Sequence, residues 1–141
     1  MEWFLKVVRD NYANFNDRAR RKEYWMFTLI SAIISFALSY FDSILGFSDG
    51  MFENGIISSI YSLAVFIPSL AVSVRRLHDV GKSGWMLLLV LLPIIGWIWL
   101  FILQVTEGDQ GPNAYGSDPK GFSDELEELG NNYQGENRYQ K

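Results

Sequence analysis

Cysteine is absent from these 141 residues, and histidine occurs once, at His78. The first absence excludes disulfides, thiol catalysis and cysteine-ligated metals. The second excludes an imidazole-rich metal site within one chain. Basic residues are scarce from Glu107 onward, where three stand against eight acidic ones, whereas residues 1–106 carry nine and eight. The net charge of −4 therefore resides in the tail. Nucleic acid is not an expected partner, because binding it needs clustered Lys and Arg to displace counterions.

Charge itself is missing from three long stretches: residues 24–41, 54–74 and 83–106, of 18, 21 and 24 residues. A helix rises about 1.5 Å per residue, so roughly 20 residues cross a bilayer core of about 30 Å. All 28 charged residues lie outside these runs. The pattern is that of an integral membrane protein. The first 23 residues hold ten charges and no apolar run, so they read as no cleavable signal, and 24–41 is expected to anchor the chain uncleaved.

Residues 2–15 read as an amphipathic helix on the membrane surface. Glu2, Lys6, Arg9 and Asp10 share one arc at 100° per residue, with Trp3, Phe4, Val7, Val8, Tyr12 and Phe15 opposite. The alternative is a helix packed against the protein's own loops. Arg18, Arg20, Arg21 and Lys22 precede the interfacial aromatics Tyr24 and Trp25, and basic flanks stay cytoplasmic. Residues 42–53 carry three acids and no Lys or Arg, and are expected outside. Residues 75–82 carry three basic residues and one acid, and are expected inside.

The third run has two readings. As one helix its 24 residues span about 36 Å, kinked where Leu92-Pro93-Ile94-Ile95-Gly96 interrupts it, and this is the expected form. The other is a re-entrant hairpin with arms too short to cross. Small residues recur at helical spacing in Ser31, Ser35 and Ser39, in Gly55 and Ser59, and in Ser69 and Ser73, as in packing seams. Pro68 is expected to kink the second span. The segment from Glu107 is rich in Gly, Asn, Asp and Pro and is expected to be mostly mobile, with a marginal helix at 123–130.

The densest polar segment is Arg75-Arg76-Leu77-His78-Asp79-Val80-Gly81-Lys82-Ser83-Gly84-Trp85. If the second helix runs through it, Arg75 and Arg76 are i, i+4 and i, i+3 neighbours of Asp79. One reading is a locally ion-paired basic turn anchored by Trp85. The other is a site for a phosphate or lipid headgroup built from Arg75, Arg76, His78, Asp79 and Lys82. His78, Asp79 and Ser83 are too crowded to suggest a nucleophilic triad. The spans hold no ionisable relay of the kind coupled transporters use.

Four segments in order carry a resemblance: Arg18-Ala19-Arg20-Arg21-Lys22-Glu23-Tyr24-Trp25, Arg75 to Asp79 with Gly84-Trp85, Pro93-Ile94-Ile95-Gly96, and Asn113-Ala114-Tyr115-Gly116-Ser117-Asp118-Pro119. Over residues 1–119 the chain resembles the YhaH-type family of bacterial inner-membrane proteins (domain of unknown function 805). Asp17, Met86 and Ala114 depart from its usual glycine, tryptophan and basic residue. The resemblance implies a small multi-pass inner-membrane protein with no established activity or cofactor.

The expectation is an all-α membrane protein with an interfacial helix, three hydrophobic helices and an acidic tail at 120–141. The leading function is a non-enzymatic module that binds membrane lipids or a membrane protein partner, with homo-oligomers an option. A pore or passive-transporter subunit and an enzyme acting on a lipid headgroup are the alternatives. No cofactor and no metal is expected.

Overall fold

The computed structural model describes residues 2–47 and 55–121. Most of the acidic loop, including Asp49 and Glu53, and the 123–130 helix lie outside the described residues. Among the described residues the elements are all helical, with one isolated bridge between Asn113 and Gly116. Helix α1 covers Glu2–Leu5 and runs into a π-helical turn at Lys6–Asp10; α2 covers Arg21–Leu45 and α3 Ile56–Asp79. A 3-10 helix at Gly84–Leu91 and α4 at Ile95–Val105 complete the set.

Helices α2 and α3 are both long and apolar enough to cross a membrane. They pack antiparallel, because each end is tied by a residue of the other helix. Near the end of α2, buried Asp42 accepts from Ile57 N at 3.2 Å, Ser58 N at 2.8 Å and Ser58 Oγ at 2.8 Å. It thus supplies the first turn of α3 with acceptors its own N-cap glycine lacks. Gly55 is required there: its φ is +91°, and a Cβ would collide with the Asp42 side chain. Near the start of α2, Glu23 pairs with Arg75 at 2.7 Å.

Pro68 sits inside α3 and removes the N–H that Ala64 O would otherwise accept. The Tyr12 hydroxyl donates to that carbonyl at 2.7 Å. A residue from the N-terminal segment therefore satisfies the backbone group that the proline orphans, as an apolar environment demands.

The third apolar run is not a single kinked helix. It reverses at Pro93, which corrects the expected form in favour of the hairpin. Ile94 has φ 69° and ψ −69°, and Ile95 N donates to Pro93 O at 2.9 Å, which makes a γ-turn of the strained, positive-φ kind. A Cβ on Gly96 would run into the Leu89 carbonyl, so glycine lets the second arm start against the first. Trp97 Nε1 donates to Val90 O at 2.8 Å and closes the hairpin. Eight residues at about 2.0 Å and eleven at about 1.5 Å give arms of about 16 Å each, half a bilayer core. A single helix would carry residues 104–106 far from α3's C-terminal end; instead Gln104 O accepts from Arg76 Nε at 3.2 Å.

Two further expectations are corrected. The N-terminal helix ends at Asp10, not at residue 15, because Asn11 N and Nδ2 both donate to Lys6 O at 3.0 and 3.1 Å. The Asn14 side chain continues this competition with helix, donating to Asn11 Oδ1 and accepting from Asn16 N. The short helix packs on α2 and α3: Val7 is fully buried with Phe27, Ala19 and Val72, and Phe4 stacks on Phe27 at 5.6 Å. The expectation for the tail is corrected only for Glu107 to Lys120, which are docked through the contacts that follow; residues 122–141 lie outside the described residues.

Candidate functional site

Polarity is inverted relative to a water-soluble domain. Arg18, Glu23, Arg75, Arg76, His78 and Asp79 are buried at one end, while Leu29, Ile33 and Phe36 of α2 and Leu63 of α3 are exposed. The buried end is assembled from four segments that meet at the end of α3. That helix stops in a Schellman arrangement, with Gly81 N donating to His78 O at 3.1 Å and Lys82 N to Leu77 O at 2.9 Å. Gly81 takes the φ of +67° that this stop needs.

Asp79 is the hub. Arg18 Nε donates to its Oδ1 at 3.0 Å and Arg76 Nη1 to its Oδ2 at 2.5 Å. Both guanidinium groups then reach main-chain carbonyls. Arg76 takes Gln104 O and Thr106 O, and Arg21 takes Val105 O at 3.2 Å. Three consecutive carbonyls at the negative end of the α4 dipole are thereby met by cations. Arg18 takes Gly111 O at 2.6 Å and Asp109 O at 2.5 Å, and Asp109 N donates to Asp79 O at 2.7 Å. A planar fork serving several acceptors at once is a task for arginine, not lysine.

The tail segment is held by a second group of contacts. Tyr115 stacks on His78 with centroids 3.9 Å apart, and Asn113 Nδ2 donates to His78 O at 2.8 Å. His78 Nδ1 lies 3.3 Å from Asp17 O. Glu107 pairs with Arg21 at 3.3 Å and with Lys120. The Lys120 bond and charge, then Arg21, hold the Glu107 carboxyl below its ordinary value. For Asp118, burial acts upward, but the amides of Lys120 and Gly111 and the Arg18 charge hold it low.

The residues singled out in the sequence divide into two groups. Arg75, Arg76, His78, Asp79 and Arg18 converge in the interior, each with internal partners. Arg75 pairs with Glu23 and not with Asp79. Lys82, Lys22 and Trp85 are exposed, while Arg20, Arg21 and Trp25 are at the edge. Lys22 lies over the Trp3 ring at 5.7 Å, and Trp25 meets Phe101 edge-on at 6.0 Å. Among the described residues no group of His, Cys, Asp or Glu is placed to hold a metal ion.

Sequence reasoning missed Glu23 and Gln104 as members of this end. Each carried a signal: Glu23 is the lone acid after four basic residues, and Gln104 is the lone side-chain amide in the third run. Tyr115 lay in a recognised motif without an assigned partner.

Residues 12–117 match the family described as "Protein of unknown function (DUF805)". The chain belongs to that family. It is 47% identical over 120 residues to "Inner membrane protein YhaH" of Escherichia coli (strain K12), spanning 85% of this chain and 98% of that one. It is 48% identical over 120 residues to "Inner membrane protein YhaI" of the same strain, spanning 85% and 97%. No solved structure matches significantly. The DUF805 match runs from Tyr12, which completes α3's backbone, to Ser117, just beyond the tail residues docked on His78.

Proposed function

We propose that this protein is a small module of the bacterial inner membrane that binds lipid in the seams between its two long helices and its hairpin, without catalysing a reaction. The observation that carries this reading is the inverted polarity: among the described residues, charges are buried and paired at one end, and the long helices and the hairpin expose large apolar side chains beyond it. The names of the relatives support the location.

The topology that fits is two crossings and a re-entrant hairpin, with the basic end cytoplasmic and both flanks of the hairpin on that side. Basic residues concentrate there, and basic flanks are retained inside. Arms of about half a bilayer thickness suit re-entry, and the turn is closed by its own bonds, Leu92 N to Leu89 O, Ile95 N to Pro93 O and Trp97 Nε1 to Val90 O. The exposed cations at this end, Lys22 and Lys82 among them, stand at headgroup level and favour anionic lipid by about 1 kcal/mol each.

Native mass spectrometry of the protein in mild detergent tests the reading. Phospholipid retained at a fixed stoichiometry supports it, and a lipid-free protein overturns it. Conductance in vesicles selects a pore instead. A turnover abolished by His78→Ala selects an enzyme, although the stacking of His78 on Tyr115 already gives that ring a structural role.

A further inference from the structure

A groove of about 390 Å³ opens between α2, α3 and the hairpin. Its apolar walls are Trp25 of α2, Leu70 of α3, Leu87 and Val90 of the first arm, and Trp97 and Phe101 of the second. That volume lies in the range of small-molecule sites, which are mostly apolar with a few polar groups that fix orientation. The groove's polar lining residues are Tyr24, Ser73 and Gln104, and the last of these is unusual. Gln104 is only 6% exposed and lines the groove, yet its Oε1 has no hydrogen-bond partner. Its backbone carbonyl is already taken by Arg76. A buried amide oxygen without a donor is a defect unless something supplies one.

A cation stands beside the groove, outside its lining residues. Arg21 lies one helical turn before Trp25 and bonds Val105 O, the residue after Gln104. Its side chain is 42% exposed, and the contacts to Val105 and Glu107 engage two of its five donors. A phosphate oxygen is the natural acceptor for the remainder. Apolar walls, a cation, and an unpartnered acceptor next to the carbonyl that the cation bonds match one kind of amphiphile.

We propose that this groove is a phospholipid site: an acyl chain lies between Trp25 and Trp97, the phosphate meets Arg21, and an N–H or O–H of the headgroup donates to Gln104 Oε1. The site therefore prefers headgroups that carry donors, such as phosphatidylethanolamine, over phosphatidylcholine, whose fully methylated amine has none. The inference rests on the lipid-binding reading above and adds to it a location and a selectivity.

The test uses the full chain in nanodiscs holding equal amounts of phosphatidylethanolamine and phosphatidylcholine, followed by native mass spectrometry of retained lipid. The expected preference for phosphatidylethanolamine in the wild-type protein is roughly 3- to 10-fold, the worth of one net hydrogen bond. Gln104→Leu keeps the volume and removes the acceptor, so the preference should fall to parity while the number of lipids stays the same. Leu87→Trp fills the groove and should lower retention of both. Equal retention of the two lipids by the wild-type protein overturns this inference and leaves the broader reading intact. So does a preference that survives Gln104→Leu. A wild-type protein that retains no lipid overturns both. The wild-type comparison needs no variant, so a misfolded Gln104→Leu does not remove the test.

Discussion

Glu23 and Arg75 face each other at 2.7 Å with side chains 2% exposed, and they tie the start of α2 to the end of α3. At an effective dielectric of about 20 the gross attraction at this separation is about 6 kcal/mol. Desolvation of the two charges takes much of that back. Removing one partner is a different matter, because it strands the other charge in the interior. Glu23→Gln is therefore expected to cost about 3–5 kcal/mol of stability.

Lys6 provides the internal control. It reaches Glu23 Oε2 at 3.3 Å, but its side chain is 47% exposed, so Lys6→Ala should cost about 0–1 kcal/mol. Arg75 adds a further expectation, since its Nε and Nη2 are buried without partners. A half-satisfied polar group is worse than an apolar one of similar shape. The double change Glu23→Gln with Arg75→Met should therefore recover most of the single-variant loss. Equilibrium unfolding in mixed detergent micelles, read by tryptophan fluorescence, gives the four corners of the cycle. A Glu23→Gln cost below about 1 kcal/mol, indistinguishable from Lys6→Ala, would refute the reasoning.

Three other expectations follow from the same contacts. Tyr12→Phe should cost about 0.5–1.5 kcal/mol by orphaning Ala64 O, and should cost nothing in a Pro68→Ala background, where residue 68 supplies its own N–H; equal costs in both backgrounds would dismiss the pairing. In this cysteine-free chain, Phe47→Cys should react with an impermeant thiol reagent in whole cells, while Ser117→Cys should be protected; labelling at position 117 would restore a single crossing for the third run. Asp118 has a folded-state pKa below its ordinary value, so its contribution is present above the unfolded pKa and is lost as pH falls through the folded one. Proteolysis of the segment after Glu107 should accordingly rise only on acidification below the usual carboxylate range, and Asp118→Asn should be nicked at neutral pH; a pH-independent rate would count against this anchor.

The membrane class, two of the long helices and the concentration of charge at one end were legible because each is written in contiguous residues. Eighteen or more uncharged positions in a row have few soluble uses, and Gly81 announces the end of α3 by its own backbone preference. The i, i+3 pair of Arg76 and Asp79 was likewise local. The N-terminal helix was overextended because its apolar stripe continues to Phe15, whereas the side chains of Asn11 and Asn14 bond main-chain groups after Asp10.

Other features depended on residues that are distant in sequence. Pro93 is compatible with a kink or a reversal, and periodicity does not distinguish them. The decision lies in Gly96 against Leu89, Trp97 on Val90, and arginines from two other elements waiting for the carbonyls of residues 104–106. The tail from Glu107 has too few apolar residues to order itself, and composition alone reads it as mobile. Its residues 107–120 are docked by main-chain carbonyls that bond to Arg18, more than ninety residues earlier for Gly111, and by Tyr115 on His78. The sequence by itself determined where charge is forbidden and where helices stop, because burial in lipid and backbone conformation act residue by residue. Only the tertiary structure decided which acid each arginine meets and which polar atom is left without a partner, because electrostatics and hydrogen bonding depend on separation in space.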